Sequence, residues 1–296
     1  MKEFTLSWKI EKNHHGMLVR DYLHSVRAFS RQILKQVKSS NGILLNGIHV
    51  NVRAELKTGD ELTIQFPPEA RGDRMVADDT KLDILYEDDH LLILNKPAGV
   101  ATSPSAQHPE GTIANRVIGH YDKEQLPFTF HVVTRLDRDT SGLMLIAKHQ
   151  YSHSLLSGLQ QQRIIKRKYQ AIVEGHLTKK VDKIQKPIAR KPGSIIEREV
   201  SGSGKNAITA YQVIKEYSGY SLVELELKTG RTHQIRVHMS SLGHPLAGDD
   251  LYGAKGNALS RHALHCVELS LPHPFTDEEL IFRHPFPEEI IKQYSS

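Results

Sequence analysis

Arg135-Leu136-Asp137-Arg138-Asp139-Thr140-Ser141-Gly142 runs straight into the apolar stretch Leu143-Met144-Leu145-Ile146-Ala147. A polar turn closed by glycine and followed by consecutive apolar residues reads as a loop feeding a buried strand. The turn also reads as chemistry. Asp137 lies between two arginines in sequence, and nearby positive charge favours an ionised carboxylate. Such a group is able to act as nucleophile or base. Taken alone, the octapeptide is better explained as a turn in which Asp137 and Asp139 bond the backbone and Gly142 supplies a left-handed residue. Other segments shift that balance.

Working outward, β-prone runs fall near 83–87, 91–95, 143–148, 165–174, 206–216, 221–228 and 263–271. Helical patterns fall near 111–120, 151–161, 231–242 and 286–293. Strands joined mostly by hairpins and short loops, with few helices between them, predict an α+β domain on a mixed, mainly antiparallel central sheet over 81–296. Ahead of it, residues 14–66 read as a small α/β module. Leu18, Val19, Tyr22, Leu23 and Val26 share one helical face, and Ile33, Leu34 and Val37 share another that Ser30 caps. Asn46-Gly47 between two short β-prone runs signals a type I′ hairpin, and Glu61-Leu62-Thr63-Ile64 gives a last strand. Residues 67–80, polar with paired prolines, read as a linker.

At 296 residues and 39% hydrophobic, the chain can bury a sizeable core. No apolar run approaches bilayer length and Met1–Trp8 lacks a signal-peptide core, so a cytoplasmic protein with no membrane partner is expected. Cys266 is the sole cysteine, which excludes an internal disulfide and predicts a buried, inert thiol. A net charge of +5 permits a polyanionic partner. Cations gather at Lys166-Arg167-Lys168, Lys179-Lys180 and Arg190-Lys191, where phosphates would need them, although any one such run is ordinarily a solvated face. Gly202-Ser203-Gly204-Lys205 lacks phosphate-loop spacing and more plainly joins two strands. His149/His153 and His262/His265 have helical or near-helical spacing but no evident third ligand, so neither metal nor cofactor is expected.

The Arg-Leu-Asp core with Thr140-Ser141-Gly142 resembles the signature of the RluA-type family of RNA pseudouridine synthases, with Thr134 where many members have His. Three further blocks resemble the family in the same order: Leu91–Gly99 with Ser103-Pro104, Arg167–Gly175, and Leu227–His238 continuing through Gly243-His244-Pro245 to Gly248–Gly253. Together they cover roughly residues 83 to 275. Phe29-Ser30-Arg31 and Gly59-Asp60 make the N-terminal module similar to the S4 RNA-binding domain that many members carry. The resemblance implies the pseudouridine-synthase fold, a central active-site cleft, and isomerisation of a flipped-out uridine without a cofactor. It implies that Asp137 attacks base or sugar, or removes a sugar proton; that Arg236 pairs with Asp137; and that Tyr169 stacks on the base. Arg135 would hold the gap left by the flipped base, and Ile235 would line the pocket. Arg231 and His233 would contact phosphate or brace a loop, and Lys96 either. Arg27, Arg31, Lys35 and Lys38 lie along or beside the module's second helix, where they meet phosphates or merely solubilise the surface.

The expected partner is RNA, with ribosomal RNA favoured and transfer RNA open, and a monomer is expected. The alternative is a non-catalytic RNA-binding or ribosome-assembly protein, whose function would survive loss of Asp137. Hydrolysis of the glycosidic bond is a third reading and would release free uracil.

Overall fold

The structure is a computed structural model and describes residues 4–255 and 259–294. The N-terminal unit contains β1 (Phe4–Lys9), α1 (Val19–Asp21) widened into a looser turn over Tyr22–Val26, α2 (Arg31–Ser39), β2 (Ile43–Leu45), β3 (Ile48–His49) and β4 (Glu61–Phe66). Its sheet runs β1-β4-β2-β3. Ser30 caps α2 by accepting from the Ile33 N–H, and Asn46 and Gly47 both take positive φ, as a type I′ turn requires. The expected start at residue 14 is corrected: β1 pairs along its whole length with β4, so the unit includes Phe4–Lys9. The alternation of Phe4, Leu6 and Trp8 is the period-2 pattern of a half-buried strand.

The larger unit contains β5 (Ile84–Glu87), β6 (Leu91–Lys96), α3 (Ile113–Lys123), β7 (His131–Val132), β8 (Ser141–Ala147), α4 (Gln150–Gln161), β9 (Lys166–Glu174) and β10 (Val181–Gln185). It continues with β11 (Ile188–Arg190), β12 (Arg198–Val200), β13 (Ile208–Tyr217), β14 (Tyr220–Leu227), α5 (Gln234–Ser240), β15 (Leu264–Pro272), β16 (Glu279–Arg283) and α6 (Glu288–Tyr294). The main sheet has the order β10-β13-β14-β9-β15-β8-β6-β5, with β16 on β15 and β7 on β8. The pair β15 and β8 is parallel and the other pairs are antiparallel, giving the expected mixed α+β architecture. β6 reads as a continuous apolar run because both faces are covered: Leu91 and Ile93 enter one core, Leu92 and Leu94 a second beneath α3. The Gly202–Lys205 segment connects β12 to β13.

Residues 67–80 carry no helix or strand, but they are strapped down rather than slack. Asn115 donates from its side chain to the Arg74 and Val76 carbonyls, and Glu69 accepts from the Thr129 and Gln150 amides. An aromatic seam joins the two units: Phe29 meets Tyr151 at 4.5 Å and Phe4 meets His149 at 4.2 Å between ring centres. Tyr151 also donates its hydroxyl proton to the Arg27 carbonyl. Arg27 itself, half-buried, lies over Trp8 and Tyr22 and donates to the Tyr22 hydroxyl, so its guanidinium is engaged within the module.

His149 gives this seam a pH limit. Its Nδ1 accepts from the Ser152 N–H and caps α4, so its proton sits on Nε2 and is donated to His90 Nδ1 at 3.0 Å. Burial holds both imidazoles below their ordinary value of 6.5, as it does His262, and pushes His265 down to about 3. These groups take up protons more readily in the unfolded chain. Stability is therefore complete above about pH 6.5 and declines below it, by about 1.4 kcal/mol per pH unit for each ring still neutral in the fold. Melting temperature is expected to drop between pH 7 and 5. His149→Asn, which keeps a capping side chain without a titrating ring, should make the drop shallower.

Candidate active site

The loop from Val133 to Thr140 enters β8 where β8 and β15 run side by side, with Ser141 opposite His265 and Gly142 opposite Cys266. At Gly142 φ is +110°, and a Cβ there would lie 2.4 Å from the Cys266 carbonyl oxygen, so the strands approach this closely only at glycine. The carbonyls flanking Asp137 are both held. Thr102 Oγ1 donates to the Leu136 carbonyl at 2.8 Å, and Lys96 Nζ donates to the Arg138 carbonyl at 2.8 Å. Lys96 is fully buried, and its remaining protons go to the Pro97 and Val100 carbonyls. Burial pulls its pKa down to about 7, while its three carbonyl acceptors match the three protons of an ammonium. From behind, Thr140 bonds His262 at 2.7 Å and Ser141 bonds His265 at 2.8 Å. Thr134 is buried and accepts from the Leu145 N–H, tying the loop to β8 away from the cleft.

The cleft has a volume of about 530 Å³ and is walled by this loop, by Tyr169 and Arg167 of β9, and by the turn into α5. α5 is anchored by polar groups satisfied in series. Gln234 accepts from Thr229 Oγ1 and donates to Thr209 Oγ1; Thr209 in turn donates to His238 Nδ1, and His238 Nε2–H donates to the Lys186 carbonyl. That anchor sets Arg236, whose Nε and Nη2 each lie 2.7 Å from an oxygen of Asp249. The third nitrogen, Nη1, stands 3.8 Å from Asp137 Oδ2. Burial works against the Arg236 charge, but Asp249 and then Asp137 more than offset it and raise its pKa. Tyr252 lies beneath the guanidinium at 4.9 Å. Tyr169 is buried with its ring in the cleft wall, and burial pushes its hydroxyl pKa well up. A fixed carboxylate beside a captive cation, facing a pocket with a buried ring, is equipped to bind a planar base and to act on it or its sugar.

A family model described as RNA pseudouridylate synthase matches residues 90–241. The chain is 46% identical over 277 residues to "Uncharacterized RNA pseudouridine synthase YjbO" of Bacillus subtilis, covering 93% of this chain and 98% of that protein. It is 38% identical over 279 residues to "Ribosomal large subunit pseudouridine synthase D" of Vibrio parahaemolyticus, covering 89% and 85%. The chain belongs to the RNA pseudouridine synthase family. Among solved structures, human RNA pseudouridylate synthase domain containing 4 superposes with a TM-score of 0.58 at 25% identity, covering 71% of this chain and 90% of that one. The human domain containing 1 protein shares the fold, with a TM-score of 0.62 at 24% identity over 77% of this chain and 91% of that one. The protein is thus an RNA-modifying isomerase on the pseudouridine-synthase fold.

Of the residues singled out in the sequence, the synthase gathers Asp137, Tyr169, Arg236, Arg135, Ile235 and Arg231 around the cleft. Lys96 and the cations on or beside α2 do not join them. Of its two expected roles Lys96 takes that of a brace of the loop and not of a phosphate contact, since burial and its carbonyl partners keep it from any phosphate. Arg31 and Lys35 are exposed on α2, and Lys35 lines a separate crevice with Pro67, Pro68 and His131. The two arginines that flank Asp137 in sequence make no ion pair with it. Arg138 turns to Asp139, with contacts of 3.0 and 2.9 Å, and Arg135 is exposed with no hydrogen bond or ion pair among the described residues. The synthase positions Asp137 from residues far away in sequence because side chains in a tight turn point apart. Sequence reasoning assigned no role to Asp249, Tyr252 or Thr102, and it had Arg167 only as one of a run of cations suited to phosphates. Asp249 and Tyr252 fall in the quoted Gly248–Gly253 block, where an acidic and an aromatic residue between glycines were the available signal.

Proposed function

We propose that this synthase modifies ribosomal RNA, isomerising a uridine flipped into the cleft by a reaction that depends on Asp137. The observation that carries the reading is Asp137, its backbone held through its neighbours' carbonyls and its carboxylate facing the Arg236 cation, inside a pocket roomy enough for a flipped nucleotide. In the isomerisation the bond from C1′ to N1 breaks, a bond from C1′ to C5 forms, C5 gives up its proton and N1 gains one. No redox equivalent or added group is consumed. Asp137 serves as nucleophile or base in opening the glycosidic bond. Tyr169, kept protonated by burial, packs on the uracil as it turns. Arg135, exposed and unpaired among the described residues at the cleft mouth, fills the space the base leaves. Arg231 and Arg167 at the rim meet phosphates.

The N-terminal unit is read as an S4-like RNA-binding module, with Arg31 and Lys35 on its exposed helix face, and the enzyme as a cytoplasmic monomer. Support for ribosomal RNA comes from relatives whose names specify the large ribosomal subunit. The test supplies RNA labelled with tritium at uridine C5, from cells lacking this gene, separated into large-subunit, small-subunit and transfer RNA. Release from large-subunit RNA without free uracil is the expected result. Release confined to transfer RNA would overturn the substrate assignment, and tight binding without release from any fraction would favour an assembly protein.

A further inference from the structure

His233, at the N-terminal boundary of α5, has a left-handed backbone with φ of +57°. Outside glycine this conformation is uncommon, and where the surrounding structure enforces it the site is worth a functional question. The position sets the imidazole between Tyr252 and Asp137. Its Nδ1 lies 2.8 Å from the Tyr252 hydroxyl, and its Nε2 lies 3.8 Å from Asp137 Oδ2. The direction of the protons follows from the partners on either side. The Tyr252 oxygen already accepts the Arg198 backbone N–H at 2.9 Å. The Asp137 carboxylate facing Nε2 can only accept, which favours the ring proton on Nε2 and makes Nδ1 the acceptor of the Tyr252 hydroxyl proton.

We propose that His233 is a positioning residue for Asp137: its Nε2–H, aimed by Tyr252, joins Arg236 Nη1 in holding Oδ2 and leaves Oδ1 to the uridine. Both donors stand 3.8 Å from the same oxygen, longer than a hydrogen bond. Catalytic contacts of this kind commonly shorten when substrate closes the site. Among the described residues no donor meets Oδ1. The ring works as the neutral form. Burial lowers its pKa, Asp137 pulls the other way, and Arg236 and Arg198 again favour neutrality, with Asp249 the remaining charge that faces it. A neutral donor suits this task, because a second cation at Oδ2 would compete for the carboxylate as a closed ion pair. The inference rests on Asp137 being the reacting group.

The test separates aim from architecture. Tyr252→Phe keeps an aromatic ring beneath Arg236 and removes the hydroxyl that fixes the tautomer, together with the acceptor of the Arg198 N–H, a backbone contact away from the carboxylate. Single-turnover tritium release at saturating RNA is expected to slow about tenfold, with KM within about twofold of wild type. The acid limb of the rate profile should move to higher pH, because Nδ1 has lost its donor. His233→Gln, which still offers an N–H, is expected to retain more rate than His233→Ala. In the wild-type protein, nitrogen-15 spectra of the imidazoles should show His233 as the Nε2–H tautomer, a readout independent of catalysis. An Nδ1–H tautomer, an unmoved pH profile in Tyr252→Phe, or equal rates for the Gln and Ala variants would each overturn the proposal. An inactive wild type with the Nε2–H tautomer would instead count against the Asp137-dependent reaction.

Discussion

Asp137→Asn is expected to lower single-turnover tritium release by at least about a thousandfold while leaving RNA affinity within a few fold of wild type. The amide has the shape of the carboxylate, so the loop keeps its form: what holds it are the Leu136 and Arg138 carbonyls, bonded by Thr102 and Lys96, and not the Asp137 side chain. The variant loses a charged oxygen able to attack carbon or take a proton, and neither Arg236 nor the neutral His233 can substitute for it. Affinity persists because phosphate contact falls to the rim arginines, and removing one negative charge from a cleft that binds a polyanion does not weaken binding. Asp137→Ala should behave alike. The check is tritium release beside filter binding of the same RNA. A rate within tenfold of wild type would remove Asp137 from the chemistry.

The parts of this molecule that were legible in its sequence are those governed by local pattern. The main sheet's long strands sit within a few residues of their β-prone runs because alternating or unbroken apolar residues report directly on one or two buried faces. Asn46-Gly47, Ser30 and Gly142 were legible because backbone geometry constrains those residue types. Short strands such as β7, β11 and β12 were not, since pieces of two or three residues carry no period. The site divides along the same line. Asp137, Tyr169, Arg236 and the facing of Arg236 to Asp137 came from recognisable blocks, whereas the closer partner that holds Arg236 depended on which side chains meet across the fold. Arg138, one residue from Asp137, turns away to Asp139; Asp249, more than a hundred residues on, sets the arginine that faces it. The first helix fell between. Its apolar face held at Val19, Tyr22 and Leu23, which are buried, but Val26 is exposed because the backbone widens over Tyr22–Val26, a change that side-chain pattern does not encode.

Asp249→Ala is expected to cost about 3–5 kcal/mol of stability, because it strands the Arg236 guanidinium in a buried site. Asp249 is almost wholly buried and supplies both short contacts to Arg236, while Asp137 is a more distant partner at 3.8 Å. Freed from Asp249, the arginine would swing onto Asp137 and close a direct pair, so activity should fall with stability. Two further variants distinguish these effects. Arg236→Met removes the charge that needed compensating, yet leaves Asp249 buried and uncompensated, and should also be destabilised. The double variant Arg236→Met with Asp249→Leu buries two apolar side chains where an ion pair stood. Such replacements are commonly neutral or stabilising, so its denaturation midpoint should return to near wild type. Its tritium release should stay at the level of Arg236→Met, since the cation facing Asp137 is gone. Coincident recovery of stability and activity would mean that the pair serves only to hold the fold. Recovery of stability alone, with strongly non-additive energies between the single variants, places Arg236 in the reaction and Asp249 as the residue that keeps it at its distance from the carboxylate.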